Sequence, residues 1–497
     1  MSNAEKRAVM QEITEVYSRR PRPIRVLQYG EGNFLRAFVD YMLDIANEKG
    51  LYHGDVAIVK PITFGSLQPF IKQDNLYTVC LRGKAGGQVV RENRTVTCIG
   101  RVVDAYAEYE KYMALADVET LELVVSNTTE AGIVFDAEDE FTACPPKTYP
   151  GKLTQFLFRR FEHFHGAKDK GLVILPVELI ENNGGKLKDC VLRLIDAWKL
   201  PESFKAWVEE SCVFCSTLVD RIVTGYPKDT AADYWAELGY EDALLSVCEP
   251  FALWVIESPK DISPKLPLDK AGLPVVFTCD QRPYRERKVR LLNGAHTATV
   301  LHAYLASMDI VGECMADADI RRFMEEAVYG EISPTVPLPA DEVKAFADSV
   351  FERFENPFIR HALLSIALNS VSKWKSRILP SLLDSYKANG ILPKCLTFSF
   401  AALLAFYTIR KQEDGSYVGA RPDGGTYPVQ DDLPALRFMA AESAKPAAEY
   451  VPIAAANAAF WGQDLSLIPG FVEAVANHFD NFRTLGPRAA MKKLFED

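Results

Sequence analysis

The chain has 497 residues and a formal net charge of −11, with 48% apolar and 25% charged residues. Those proportions are those of a globular protein too long for one hydrophobic core, so two or three domains are expected. The acidic balance, offset by no basic tail, excludes a protein that coats nucleic acid or an anionic membrane. No apolar run reaches the roughly 18–20 residues of a membrane span, and the polar start Met1-Ser2-Asn3-Ala4-Glu5 has no secretory h-region, so a cytoplasmic protein is expected. Ten cysteines are too sparse for a disulfide scaffold. The lone C-x-x-C, Cys212 and Cys215, lacks the second ligand pair that a structural zinc needs, and no metal is expected.

In chain order, residues 24–29 read as a strand followed by a glycine turn. A helix then runs from Asn33 to about Lys49, with Phe34, Phe38, Met42 and Ile45 on its apolar stripe. Residues 56–59 form a second short strand, and 76–99, broken by glycines at 83–87, reads as an antiparallel insertion. The apolar runs 121–125, 172–175 and 251–256 resemble buried parallel strands, with 211–217 a weaker one. Helical patterns lie between them, at 152–165 and 186–198. Alternation of this kind predicts a doubly wound, Rossmann-like α/β domain over 1–282. From about Lys288 the patterns are almost all helical, at 317–329, 340–354, 359–371 and 396–410, with a Gly/Asp-rich loop or hairpin at 412–427. A mainly α-helical domain over 283–497 follows.

Gly30-Glu31-Gly32-Asn33-Phe34-Leu35-Arg36 sits where a dinucleotide fingerprint belongs, after a strand and opening a helix. Gly30 permits the turn, Gly32 lets the backbone approach a pyrophosphate, and the helix N-terminus offers unpaired N–H groups. The third glycine is replaced by Leu35. Lys60 stands where an acidic residue would hold the ribose, facing either a 2′-phosphate or water, so NAD and NADP stay open. An ordinary glycine turn fits the same residues. Polar loops follow later strands on the expected ligand edge: 126–130 with Asn127 and Thr128, 178–184 with Asn183, and 219–221 with Asp220.

Lys288, Asn293 and His296 open the helical half. At about 100° per residue Asn293 lies about 140° and His296 about 80° from Lys288, within one broad helix face. Alcohol–ketone hydride chemistry needs a proton-exchanging group and donors facing the oxygen as charge develops. Lys288 suits the first role, Asn293 and His296 the second. A solvated lysine, a capping asparagine and a core-edge histidine would share that spacing.

K-x₄-N-x₂-H after an N-terminal G-x-G-x-F-x-R resembles the polyol-specific long-chain dehydrogenases, the mannitol dehydrogenase family. The resemblance implies a NAD(P)-dependent enzyme without catalytic zinc, with Lys288 as general acid/base and Asn293 and His296 on the oxyanion side. It implies cofactor contacts from Gly30, Gly32, Asn33, Phe34, Arg36, Asn127 and Thr128, and substrate contacts from Asp220 in the V-D-R-I segment. Residues 28–36, 124–133, 214–227, 283–296, 354–361 and 427–432 are similar to the branch of the family that reduces keto-hexuronates with NAD. The polyol branch carries D-N-L-x-x-N-G where this chain has Glu178 to Gly184. Leu179 replaces the sugar-contacting asparagine and only Asn183-Gly184 is kept. A hexuronate adds a terminal carboxylate, which needs a cationic partner. Lys373 and Arg377 are the local candidates. The expected ligands are NAD and a small sugar acid, and the expected state is a monomer or small homo-oligomer.

Overall fold

The computed structural model describes residues 10–128 and 132–496. They gather into two compact units, one of Met1–Gly83 with Gln88–Gln281, the other of Lys84–Gly87 with Arg282–Asp497.

The first unit is built on β1 (Ile24–Tyr29), β2 (Asp55–Lys60), β3 (Tyr77–Ala85), β4 (Gln88–Val96), β5 (Ile99–Asp104), β6 (Leu123–Ser126), β7 (Val173–Pro176) and β8 (Val213–Phe214). Six of these form one sheet in the order β5-β2-β1-β6-β7-β8, every pair parallel. Counted along the chain that order is 3-2-1-4-5-6, which reverses between β1 and β6 and leaves a crevice at their carboxyl ends. Successive strand residues feed opposite cores. Val26, Ile58, Val125 and Val173 enter one; Leu27, Ala57, Val124 and Ile174 enter the other. A strand covered on both faces needs an apolar residue at nearly every position, which is why these runs read as continuous. The covering helices include α1 (33–48), α2 (Tyr149–His163) and α3 (Asn183–Ala197). Within α1, Arg36–Asp40 form a π-turn.

One expectation for this unit changes. The run 251–256 does not join the parallel sheet. With β9 (Ser216–Asp220), β10 (Val223–Gly225), β11 (Ser246–Cys248), β12 (Leu253–Glu257) and β13 (Val275–Thr278), it belongs to smaller sheets. β12 pairs antiparallel with β9 and parallel with β13. An apolar run reports burial on both faces and carries no information about which sheet supplies it. The insertion keeps its expected form: β3 and β4 are neighbouring strands joined through Gly86-Gly87, a connection short enough only for an antiparallel pair, and β11 extends their four-stranded sheet by running parallel to β3.

The second unit is mainly helical. Its principal helices are α4 (Gly294–Leu305), α5 (Ala340–Phe354), α6 (Ser370–Arg377), α7 (Lys394–Phe406) and α8 (Phe471–Leu485). The single helix expected over 359–371 is two pieces, Leu363–Ile366 and α6, separated by Asn369 at φ +55°. After α7, which ends at Phe406 and not at 410, the chain forms a three-stranded antiparallel sheet, Ile409–Lys411, Tyr417–Ala420 and Thr426–Pro428, so that of the two readings of 412–427 the hairpin is the one that forms. Among the described residues, no helix is long and apolar enough to cross a membrane.

His302 of α4 is buried edge-on against Phe323, 4.3 Å between centroids, and Phe398 at 5.6 Å. His478 meets Phe398 at 5.5 Å. Burial pushes the His302 imidazole down to about 3 and that of His478 to about 4. In the unfolded chain both protonate near 6.5. The unfolded state therefore binds more protons below that pH, and stability is lost as pH falls from about 6.5 toward the folded values. The thermal midpoint is expected to be lower at pH 5 than at pH 7, and His302→Phe to narrow the difference. An unchanged pH dependence in that variant would contradict this.

Candidate active site

The glycine turn at the end of β1 lies at the crevice. Gly30 has φ +116°, a conformation that only glycine adopts cheaply, and its N–H donates to the Val59 carbonyl at 2.9 Å. Beneath it, Gln28 Nε2 donates to the Gly30 carbonyl (3.1 Å) and to Asp40 Oδ2 (3.2 Å). The Tyr77 hydroxyl donates to the same Asp40 oxygen at 3.1 Å. Burial pushes the Asp40 carboxyl up to about 7. A Cβ on Gly32 would meet nothing within 4 Å. Protein packing thus gives no reason for glycine there, and the space before the first N–H groups of α1 is open, as a phosphate requires.

Three residues expected beside a cofactor hold this turn from behind. Arg36 is buried, donating from Nε to the Glu31 carbonyl (3.1 Å), from Nη2 to Asn33 Oδ1 (2.7 Å) and from Nη1 to the Leu244 carbonyl. Asn33 Oδ1 also accepts from Ser246 Oγ at 3.0 Å, and Phe34 stacks on Phe38. A buried guanidinium has to satisfy its donors internally, which turns Arg36 away from the ligand edge. Lys60 faces neither a phosphate nor water. It is buried, pairs with Asp104 at 2.9 Å and donates to the Ile62 and Phe64 carbonyls.

Asn127, at the end of β6, lies beside the turn: a Cβ on Gly30 would sit 3.8 Å from its carbonyl oxygen. Its Nδ2 donates to the Val177 carbonyl at 3.2 Å. Thr128 donates from N–H and Oγ1 to the buried Glu178 (2.9 and 3.1 Å). Thr129 and Glu130 of this loop lie outside the described residues. Asn183 does not fit a substrate contact. It is fully buried, Nδ2 donating to the carbonyls of Pro176, Glu178 and Thr217, and Oδ1 accepting from the N–H groups of Gly184 and Thr217. Gly184 follows because a Cβ there would come within 2.1 Å of the Cys215 carbonyl oxygen. The pair survives for packing. Asp220 is buried at the end of β9, a strand of a smaller sheet that follows directly on β8 of the parallel one.

In the second unit, Lys288–Asn293 form a π-helix that runs into α4. The Gly294 N–H donates to the Val289 carbonyl, five residues back. The wider turn places Asn293 roughly one turn above Lys288, so the 140° separation expected for an α-helix does not hold. His296 follows, buried, with Nδ1 lacking a hydrogen-bond partner among the described residues. Its ring lies 4.2 Å from Phe354 and 5.4 Å from His361, edge-on to the latter. Burial holds the His296 imidazole well below its ordinary range, and His361, Arg377, Arg353 and Lys373 push the same way. Arg377 reaches Thr297 Oγ1 at 3.5 Å, and its carbonyl lies 3.4 Å from where a Gly294 Cβ would be. Lys373 donates to the Ile366 carbonyl at 2.8 Å. Lys288, Asn293, His296, Lys373 and Arg377 are thus on neighbouring helical segments of one unit. Sequence reasoning missed His361 and Arg353. They lie 65 and 57 positions from His296, and no local pattern links them.

The comparisons with known proteins agree with this architecture. The family model for the mannitol dehydrogenase Rossmann domain matches residues 24–270, and that for the mannitol dehydrogenase C-terminal domain matches 280–483. Altronate oxidoreductases of Escherichia coli (strain K12) and Shigella flexneri serotype 5b (strain 8401) are each 47% identical over 479 residues, covering 95% of this chain and 97% of theirs. Among solved structures, Pseudomonas fluorescens mannitol 2-dehydrogenase, in a ternary complex with NAD and D-mannitol, superposes with a TM-score of 0.67 at 22% identity, covering 97% of this chain and 96% of that one. A substrate-free D-sorbitol dehydrogenase gives 0.77 at 21%, covering 94% and 95%. These two share the fold.

Asn183 supports a direct test of the packing role. Asn183→Ala leaves buried carbonyls and N–H groups unpaired and should cost about 2–4 kcal/mol in denaturant unfolding. A loss under about 0.5 kcal/mol would contradict it.

Proposed function

The chain belongs to the mannitol dehydrogenase family, and from that premise we propose that it is a NAD-dependent oxidoreductase interconverting D-tagaturonate and D-altronate. The observation that carries this reading is the pair of cations, Lys373 and Arg377, on the segment packed beside the buried His296, which lies about one helical turn beyond Asn293 and two beyond Lys288. Neutral polyols need no such charge; a uronate does. The 47% identity to altronate oxidoreductases supports the same substrate class.

The open space at Gly32 and the N-terminus of α1 suit a pyrophosphate, and Asn127 and Thr128 would border it. NADH, when bound there, would supply the hydride that reduces a keto carbon. Lys288 then gives the oxygen its proton, completing the alcohol, and takes it back in the reverse direction. Asn293 Nδ2 and a neutral His296 donate hydrogen bonds to that oxygen as negative charge grows on it. A neutral imidazole suits this part because its pKa is too low for it to compete with Lys288 as the acid.

NADH oxidation should be fastest with D-tagaturonate, slower with D-fructuronate and slowest with D-fructose. A preference for fructose would contradict the uronate assignment, and a preference for fructuronate would move it to that neighbouring substrate. Lys288→Ala should lower kcat by about 100-fold or more while NADH still binds. Near-normal turnover would remove Lys288 from its role.

A further inference from the structure

The cationic groups near His296 are not equally committed. Among the described residues Arg377 makes no ion pair; its one side-chain hydrogen bond is the long contact to Thr297. It is half-buried, and burial alone depresses its basicity, with no carboxylate opposing the effect. His361 is the same: half-buried, depressed by burial alone, with its ring edge-on to His296. Lys373 uses one ammonium proton on the Ile366 carbonyl and keeps two. The one carboxylate whose charge reaches Lys373 is Asp431, and it already accepts from the Val371 N–H at 3.0 Å and from the Tyr407 hydroxyl.

A chain with eleven more acidic than basic residues has carboxylates to spare for any cation that needs one. Arg421 and Arg488, elsewhere in the same unit, each sit on carboxylates. A guanidinium held half-buried without one is costly unless a ligand anion completes it. We infer that Arg377 and His361, with Lys373 beside them, form the subsite that takes the substrate's terminal carboxylate. The Arg377 fork binds both oxygens, and an N–H of the neutral His361 imidazole donates to one of them. Arg377 is anchored for this by the packing of its carbonyl against Gly294, next to Asn293. Placement of the carboxylate therefore also places the keto group relative to Asn293 and His296. Lys373 alone would offer a point charge; the fork and the imidazole add direction.

This subsite rests on the hexuronate reading above, so the test compares D-tagaturonate with D-tagatose, its counterpart without the carboxylate. The readout is the ratio of kcat/KM for the two substrates in the full-length enzyme. Wild type should favour the uronate. Arg377→Met and His361→Phe should each lower that ratio, Arg377→Met by about 30-fold or more, with most of the change in KM for the uronate. Arg377→Lys, which keeps the charge and the fold, should restore part of it. Thermal melts establish that each variant is folded. Unchanged ratios in Arg377→Met and Arg377→Lys, with wild type still preferring tagaturonate, would overturn the subsite and leave the function standing. A wild type with no preference for the carboxylate would overturn both.

Discussion

A buried imidazole with cations on several sides must be neutral, and the candidate site in the second unit depends on that constraint. His296 is enclosed by Phe354, His361 and its own helix, and every charge that acts on it opposes protonation. A neutral ring still donates a hydrogen bond from its one N–H, a proton it does not give up near neutral pH. In the proposed mechanism the acid is then Lys288. The same cations make the surroundings receptive to an anion, so one electrostatic arrangement serves both the reacting oxygen and the charged end of the proposed substrate.

The first unit meets a related problem by different means. Two cations expected at its ligand edge, Arg36 and Lys60, are both turned to internal partners. What it offers is backbone, the open N-terminus of α1 past Gly32, where N–H groups and the helix dipole favour negative charge. The buried network of Gln28, Asp40, Tyr77 and Arg36 keeps that turn rigid. An acidic chain can therefore receive anions through local geometry without a basic surface.

Much of this was legible in the sequence because its signals were local. Continuous apolar runs marked β1, β2, β6 and β7, and the glycine turn stood in its required context between strand and helix. Helix α5 was readable from its periodicity. The rest was not legible, for reasons that are equally physical. Burial on both faces does not say which sheet does the burying, so β12 was placed wrongly. A single left-handed asparagine, Asn369, split a helix whose pattern looked continuous. The π-helix at Lys288–Asn293 comes from a shift in hydrogen-bond register, as in the Gly294-to-Val289 bond, and no residue type announces it. Arg36 and Asn183 matched motif positions, yet their side chains serve the fold, because a motif records residue identity and not direction. His361 joined the site only through tertiary packing.

The claim on which the account turns is the charge state of His296. Nuclear magnetic resonance of ring-labelled histidine, assigned with a His296→Gln variant, reads it directly. The account predicts that His296 stays neutral throughout the range in which an ordinary imidazole titrates, about pH 6–7. Titration of that ring within this range, giving an imidazolium just below neutrality, would contradict it.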